Sequence, residues 1–95
     1  MASAYIVDAV RTAGGRRNGR LSQIHPSDLG AFVINALLDR TGIDPNKVDD
    51  VIMGCVSQIG PQTFNLGRAT ILASRLPVTV PGVTVDRQCG SGQQA

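Results

Sequence analysis

Two short apolar runs, about one helix apart, constrain this chain most. Residues 50–56, DVIMGCV, are apolar almost without interruption, and residues 81–86, PGVTVD, follow after a stretch of helical character. A near-continuous apolar strand is covered on both faces, which is the condition of a parallel sheet. Two such strands joined through a helix form a right-handed crossover unit. The fold class that follows is α/β.

The remainder of the chain extends this alternation. Residues 4–10, AYIVDAV, read as a further buried strand. RTAGGRRNGRLSQ, with three glycines among four arginines, reads as a loop. A helix is expected to open at Pro26, with Ser27 and Asp28 favouring its N-terminus and Gly42 stopping it. Its buried face would be Leu29, Phe32, Val33, Ala36 and Leu37, spaced i, i+3, i+4, i+7 and i+8. Asp44 would cap a short turn opening at Pro45. SQIGPQTF is a loop, and Asn65 can cap a second helix running to about Arg75, with Leu66, Ala69, Leu72, Ala73 and Leu76 as its apolar stripe and Pro77 as its end. A third helix is expected to begin near residue 89. The order is β-α-β-α-β plus the opening of a helix, an incomplete domain.

Composition excludes several classes of function. A formal charge of +2 is too small to argue for nucleic acid or an anionic membrane surface. No apolar run approaches the roughly 20 residues of a membrane span. MASAYIVDAVRT lacks the basic and apolar regions of a secretory signal. Cys55 and Cys89 lack the spacing of a disulfide framework or a metal site, so a reducing, cytoplasmic setting and no bound metal are expected.

The chemistry concentrates in VTVDRQCGSGQQA, residues 83–95. Cys89 would stand where a strand gives way to a helix, at the carboxyl edge of the sheet, where open α/β folds bind ligands. Free backbone N–H groups and the partial positive charge of a helix start favour a nucleophilic thiol and can stabilise an oxyanion on a thioester. Gly90 and Gly92 would let a substrate approach the backbone closely. Every component suits acyl transfer through a cysteine thioester. The same letters admit a second reading, because Gly90, Gly92 and Ala95 satisfy the G-x-G-x-x-A spacing of a dinucleotide-binding turn. Against it, Arg87, Gln88 and Cys89 intervene where that motif passes from strand straight to glycine. Other candidates read as structural: His25 as a surface residue at a helix start, Cys55 as an inert core thiol, Arg11, Arg16, Arg17 and Arg20 as a solvated basic loop, and Arg68 and Arg75 as the outer face of the second helix.

VTVDRQCGSGQQA resembles the active-site segment of thiolases, in which a Cys-Gly-Ser-Gly run supplies the acyl-accepting cysteine. AYIVDAVRT, the Gly-rich loop ending in GRL, DLGAFVINALLDRTGIDP and VDDVIMGCVSQ are similar to the same family in the same order. Ala13 replaces a frequent proline, and PQTFNLGRAT replaces a GQNPAR-like run; both leave acyl preference and subclass open. The resemblance implies a layered fold with a mainly parallel mixed sheet, residues 1–95 being the N-terminal part of its N-terminal domain, cut within the third helix. It implies acyl-CoA and coenzyme A as substrates, no permanently bound cofactor, Cys89 as nucleophile with its N–H in an oxyanion hole, and a homodimer or homotetramer. The third strand and residues 57–70 are the interface candidates it suggests. The activating histidine, a second cysteine and an Asn and His of another oxyanion site belong to the family's C-terminal half, so this chain alone is expected to be inactive. A ketoacyl-synthase-type condensing enzyme, with the same nucleophile and a different second half-reaction, is the alternative.

Overall fold

The computed structural model describes residues 2–95. Helix α1 spans Pro26–Thr41. Pro26 fits the first position because its missing N–H would be unpaired there anyway. The cap itself is His25, whose Nδ1 accepts the Ser27 N–H at 3.2 Å, while Ser27 and Asp28 lie inside the first turn. Gly42 ends the helix at φ 67, a left-handed geometry that glycine adopts without strain, and its N–H reaches the Leu38 carbonyl at 3.0 Å. Asp44 accepts the Asn46 N–H at 3.0 Å and so caps the 3₁₀ turn Pro45–Lys47.

Strand β1 (Val51–Gly54) then leads through a loop, with a 3₁₀ turn at Gly60–Gln62, into helix α2 (Leu66–Ala73). Strand β2 (Gly82–Val85) follows, and the short helix α3 spans Ser91–Gln94. β1 and β2 are parallel, in register from Val51 opposite Gly82 to Gly54 opposite Val85. The fold is therefore α/β, built on the β1-α2-β2 crossover. α2 packs on both strands and against α1. The core is Leu38 of α1, Ile71 of α2, and Leu76 and Val80 of the connection to β2, with Ile34, Val48 and Val51 around it. Thr70, fully buried, turns its hydroxyl toward the Met53 sulfur at 3.9 Å where α1 crosses α2.

Four expectations are corrected. Residues 4–10 form no strand: Ile6 is 92% exposed, and the segment makes no ladder hydrogen bond. A β-prone run needs a neighbour to pair with, and the only sheet among the described residues is β1-β2. Asp8 instead ties the segment to α1 through Arg40, Nε to Oδ2 at 2.8 Å. That guanidinium, and then the Ala9 N–H, hold the Asp8 carboxyl below its usual range, and Asp8 in turn raises Arg40.

On α1 the deepest residues are Ala31 and Leu38, whereas Phe32 is 67% exposed. This helix is apolar on two sides, and the side carrying Gly30, Ile34 and Leu38 is the one that packs with α2. α2 is shorter than expected and rotated: it ends at Ala73, it buries Leu66, Gly67, Thr70 and Ile71, and Leu72 is exposed. Ser74 terminates it, its Oγ donating to the Ile71 carbonyl at 2.8 Å three residues before Pro77. Arg68 and Arg75 are not an idle outer face. Arg68 Nη1 donates to the Val80 carbonyl at 2.7 Å, and Arg75 Nη2 pairs with Asp39 of α1 at 2.5 Å.

Candidate active site

Parallel pairing sends the chains leaving β1 and β2 to the same carboxyl edge. Cys55, just past β1, donates its N–H to the Val85 carbonyl at 2.9 Å, and this bond closes the sheet on that side. Cys55 is half-buried rather than sealed in the core, with Gln62 Nε2 donating to its sulfur at 3.4 Å. Gln62 Nε2 also donates to the Ser57 carbonyl, at 2.5 Å, which folds the 57–62 loop back on the strand end.

The turn after β2 carries Cys89. Asp86 Oδ1 accepts the Gln88 N–H at 3.1 Å, bending the chain as it leaves the strand. Gly90 N–H returns to the Arg87 carbonyl at 2.9 Å. Between these restraints Cys89 is exposed and sits at φ 54, the left-handed region that residues with a side chain rarely adopt. Ser91, 6% exposed, accepts the Arg87 N–H on its Oγ at 2.9 Å, bridging across the cysteine. The Arg87 side chain donates to Gln94 Oε1 at the end of α3. Arg87, Gln88, Gly90, Gln93 and Gln94 line a cleft of about 390 Å³ at this turn.

Gly54, the last residue of β1, sets how close α3 comes. A Cβ built there would lie 2.6 Å from the Ser91 carbonyl oxygen and closer still to the Gly92 nitrogen. Backbone meets backbone at this point, and only glycine allows it. Around Gly92 the space is open, as close substrate approach requires. Sequence reasoning named Cys89, Gly90 and Gly92 but missed Ser91 and Gly54. An isolated glycine inside an apolar strand run is the signal that marks such an approach.

The remaining candidates are placed elsewhere. His25 is committed to the α1 cap, with Ser27 Oγ 2.8 Å from its Nδ1. Arg16, Arg17 and Arg20 stay on an exposed turn region. Gly90, Gly92 and Ala95 do not form a strand-to-helix glycine turn, because five residues separate the end of β2 from the start of α3.

The sequence profile of the thiolase N-terminal domain matches residues 4–95. The chain belongs to the thiolase family. It is 62% identical over its whole length to a steroid 3-ketoacyl-CoA thiolase of Mycobacterium tuberculosis, covering 23% of that protein. It is 48% identical to a beta-ketoadipyl-CoA thiolase of Acinetobacter baylyi, covering 24% of it. Among solved structures, the Bacillus anthracis acetyl-CoA acetyltransferase superposes with a TM-score of 0.76 at 38% identity, over 85% of this chain and 20% of that one. The chain thus spans about a quarter of the length of the curated thiolases it matches. The resemblance stated from sequence and the α/β fold class both hold.

Proposed function

We propose that this chain supplies the acyl-accepting cysteine of a thiolase, an acyltransferase that moves an acyl group between coenzyme A thioesters through a Cys89 thioester. The observation that carries the reading is the exposure of Cys89 on a restrained turn at the carboxyl edge, in a chain that the thiolase profile spans almost end to end.

In the degradative direction the Cys89 thiolate attacks the 3-keto carbon of a 3-ketoacyl-CoA. The C2–C3 bond breaks, and its electron pair goes to C2, which takes up a proton and leaves as acetyl-CoA. The sulfur of a second coenzyme A then attacks the acyl thioester, and Cys89 departs as thiolate. The oxyanion of each step needs N–H donors, and the Cys89 N–H is the one this chain offers by likeness to the family. Among the described residues the one histidine, His25, is held at the α1 cap. By likeness to the family, the activating histidine, the acid–base cysteine and the second oxyanion site would come from polypeptide corresponding to the other three quarters of the relatives, and on this reading residues 1–95 alone are inactive.

Assembly as a homodimer or homotetramer fits the apolar side chains left uncovered on residues 57–70 and β2, Phe64 at 99% exposure above all, with Ile59 and Val83 also exposed. Among the relatives named above, the steroid enzyme is the most similar. This supports including a polycyclic 3-ketoacyl-CoA beside acetoacetyl-CoA in the first substrate panel. The test is thiolytic cleavage by the full-length protein that carries this chain. Coenzyme A-dependent cleavage that Cys89→Ala abolishes is expected; cleavage that survives Cys89→Ala at the wild-type rate would overturn the proposal.

A further inference from the structure

We infer that Gly54 and Ser91 are positioning residues for Cys89: they form a seat that holds the cysteine's turn in one geometry at the sheet edge. The inference rests on the reading of Cys89 as the acyl acceptor. A cysteine at φ 54 stands in a conformation that is unfavourable for an L-residue, so neighbouring contacts must hold it. Two independent contacts do so.

The first is polar. Arg87 N–H donates to Ser91 Oγ at 2.9 Å, spanning the turn from one side of Cys89 to the other, and Ser91 is buried. Removing the hydroxyl, as in Ser91→Ala, leaves the Arg87 N–H without its acceptor and the turn free to relax toward φ < 0.

The second is steric. α3 rests with its first turn directly on Gly54, which occupies the last rung of the ladder opposite Val85. Val85 is also the acceptor for the Cys55 N–H, so the base of the seat is tied into the sheet on both strands. A side chain at Gly54 would displace the Ser91–Gly92 backbone and with it the residue two positions earlier. Reaction geometry tolerates little displacement, and a misplacement of about 1 Å can cost 100-fold in rate.

The test uses the full-length protein with Ser91→Ala, Ser91→Thr and Gly54→Ala. Two properties are read: amide hydrogen exchange at residues 87–91, and the separate kcat and KM for acyl transfer. Ser91→Ala is expected to speed exchange at 87–91 about tenfold, the loss of one hydrogen bond, and to lower kcat by about the same factor with KM within about twofold. Ser91→Thr, which keeps the hydroxyl, restores kcat to within about threefold of wild type. Gly54→Ala lowers kcat further.

Full kcat in either Ser91→Ala or Gly54→Ala overturns the inference. So does a Ser91→Thr protein as impaired as Ser91→Ala, since that marks a packing defect rather than a lost acceptor. If Ser91→Ala fails to fold, Ser91→Thr and Gly54→Ala decide between the same outcomes. Absence of an acyl adduct on Cys89 in the wild type would instead remove the acyl-acceptor reading; the exchange rates at 87–91 judge the seat without reference to it.

Discussion

Replacing Asn65 by alanine tests how α2 is fixed to the strand that delivers Cys89. Asn65 occupies φ 60, directly after Phe64 at φ 57, so two consecutive non-glycine residues hold left-handed backbone. Its Oδ1 accepts the Arg68 N–H at 3.2 Å as the N-cap of α2 and the Thr84 hydroxyl at 2.8 Å, while its Nδ2 donates to the Gly82 carbonyl at 2.8 Å. Thr84 Oγ1 in turn accepts the Gly67 N–H at 2.9 Å. One side chain thus caps the helix and ties it to two residues of β2.

Loss of an N-cap costs about 1 kcal/mol, each tie to the strand about 1 kcal/mol, and alanine at positive φ about another 1 kcal/mol. Because Asn65 is exposed and one side chain makes all three bonds, we expect about 3 kcal/mol for Asn65→Ala. Asn65→Gly loses the bonds but not the backbone preference and should recover about 1 kcal/mol of that. Urea unfolding of the full-length protein, with the denaturant slope held constant, measures both. A cycle with Thr84→Val should show a coupling of about 1 kcal/mol. Asn65→Ala within 0.5 kcal/mol of wild type, by the same order-of-magnitude scale, or strict additivity with Thr84→Val, would refute the reasoning.

Two further outcomes follow from the packing and the charges. Ile71 is fully buried at the centre of the core, so Ile71→Ala should cost about 3 kcal/mol and Ile71→Val about 1 kcal/mol in the same unfolding assay; equal effects would deny it that place. Arg40 lowers the carboxyl of Asp8, so the tether it makes is fully present above the ordinary aspartate value of about 4 and is lost as pH falls below that, through the depressed folded value. Amide exchange at Ala9, whose N–H donates to Asp8 Oδ1 at 2.7 Å, corrected for intrinsic rates, should therefore rise on acidification, and in Asp8→Asn it should already be raised at neutral pH. Unchanged protection in that variant contradicts the tether.

What the sequence disclosed was mostly local. The Gly42 stop, the Asp44 and Asn65 caps and the parallel pair of apolar strands each depend on a residue's own backbone preferences or on one run of side chains. What it concealed depends on partners. AYIVDAV has strand composition, but a strand exists only when another chain segment pairs with it. On α1 and α2 the buried faces were read from helical spacing, yet the helices cross where Gly30 meets Thr70 and where Ile34 and Leu38 pack with Ile71. Periodicity cannot reveal this when a helix is apolar on more than one side. At the candidate site, Cys89 was legible from its flanking glycines, whereas Ser91 and Gly54 act through a contact between residues 37 positions apart.

The most direct measurement is the mass of tryptic peptides from the full-length protein after brief exposure to acetyl-CoA and acid quench. An acetyl group is expected on the peptide containing Cys89, removed by added coenzyme A and absent in Cys89→Ala. Acetylation confined to Cys55 or to a cysteine outside this chain, with Cys89 unmodified, would contradict it.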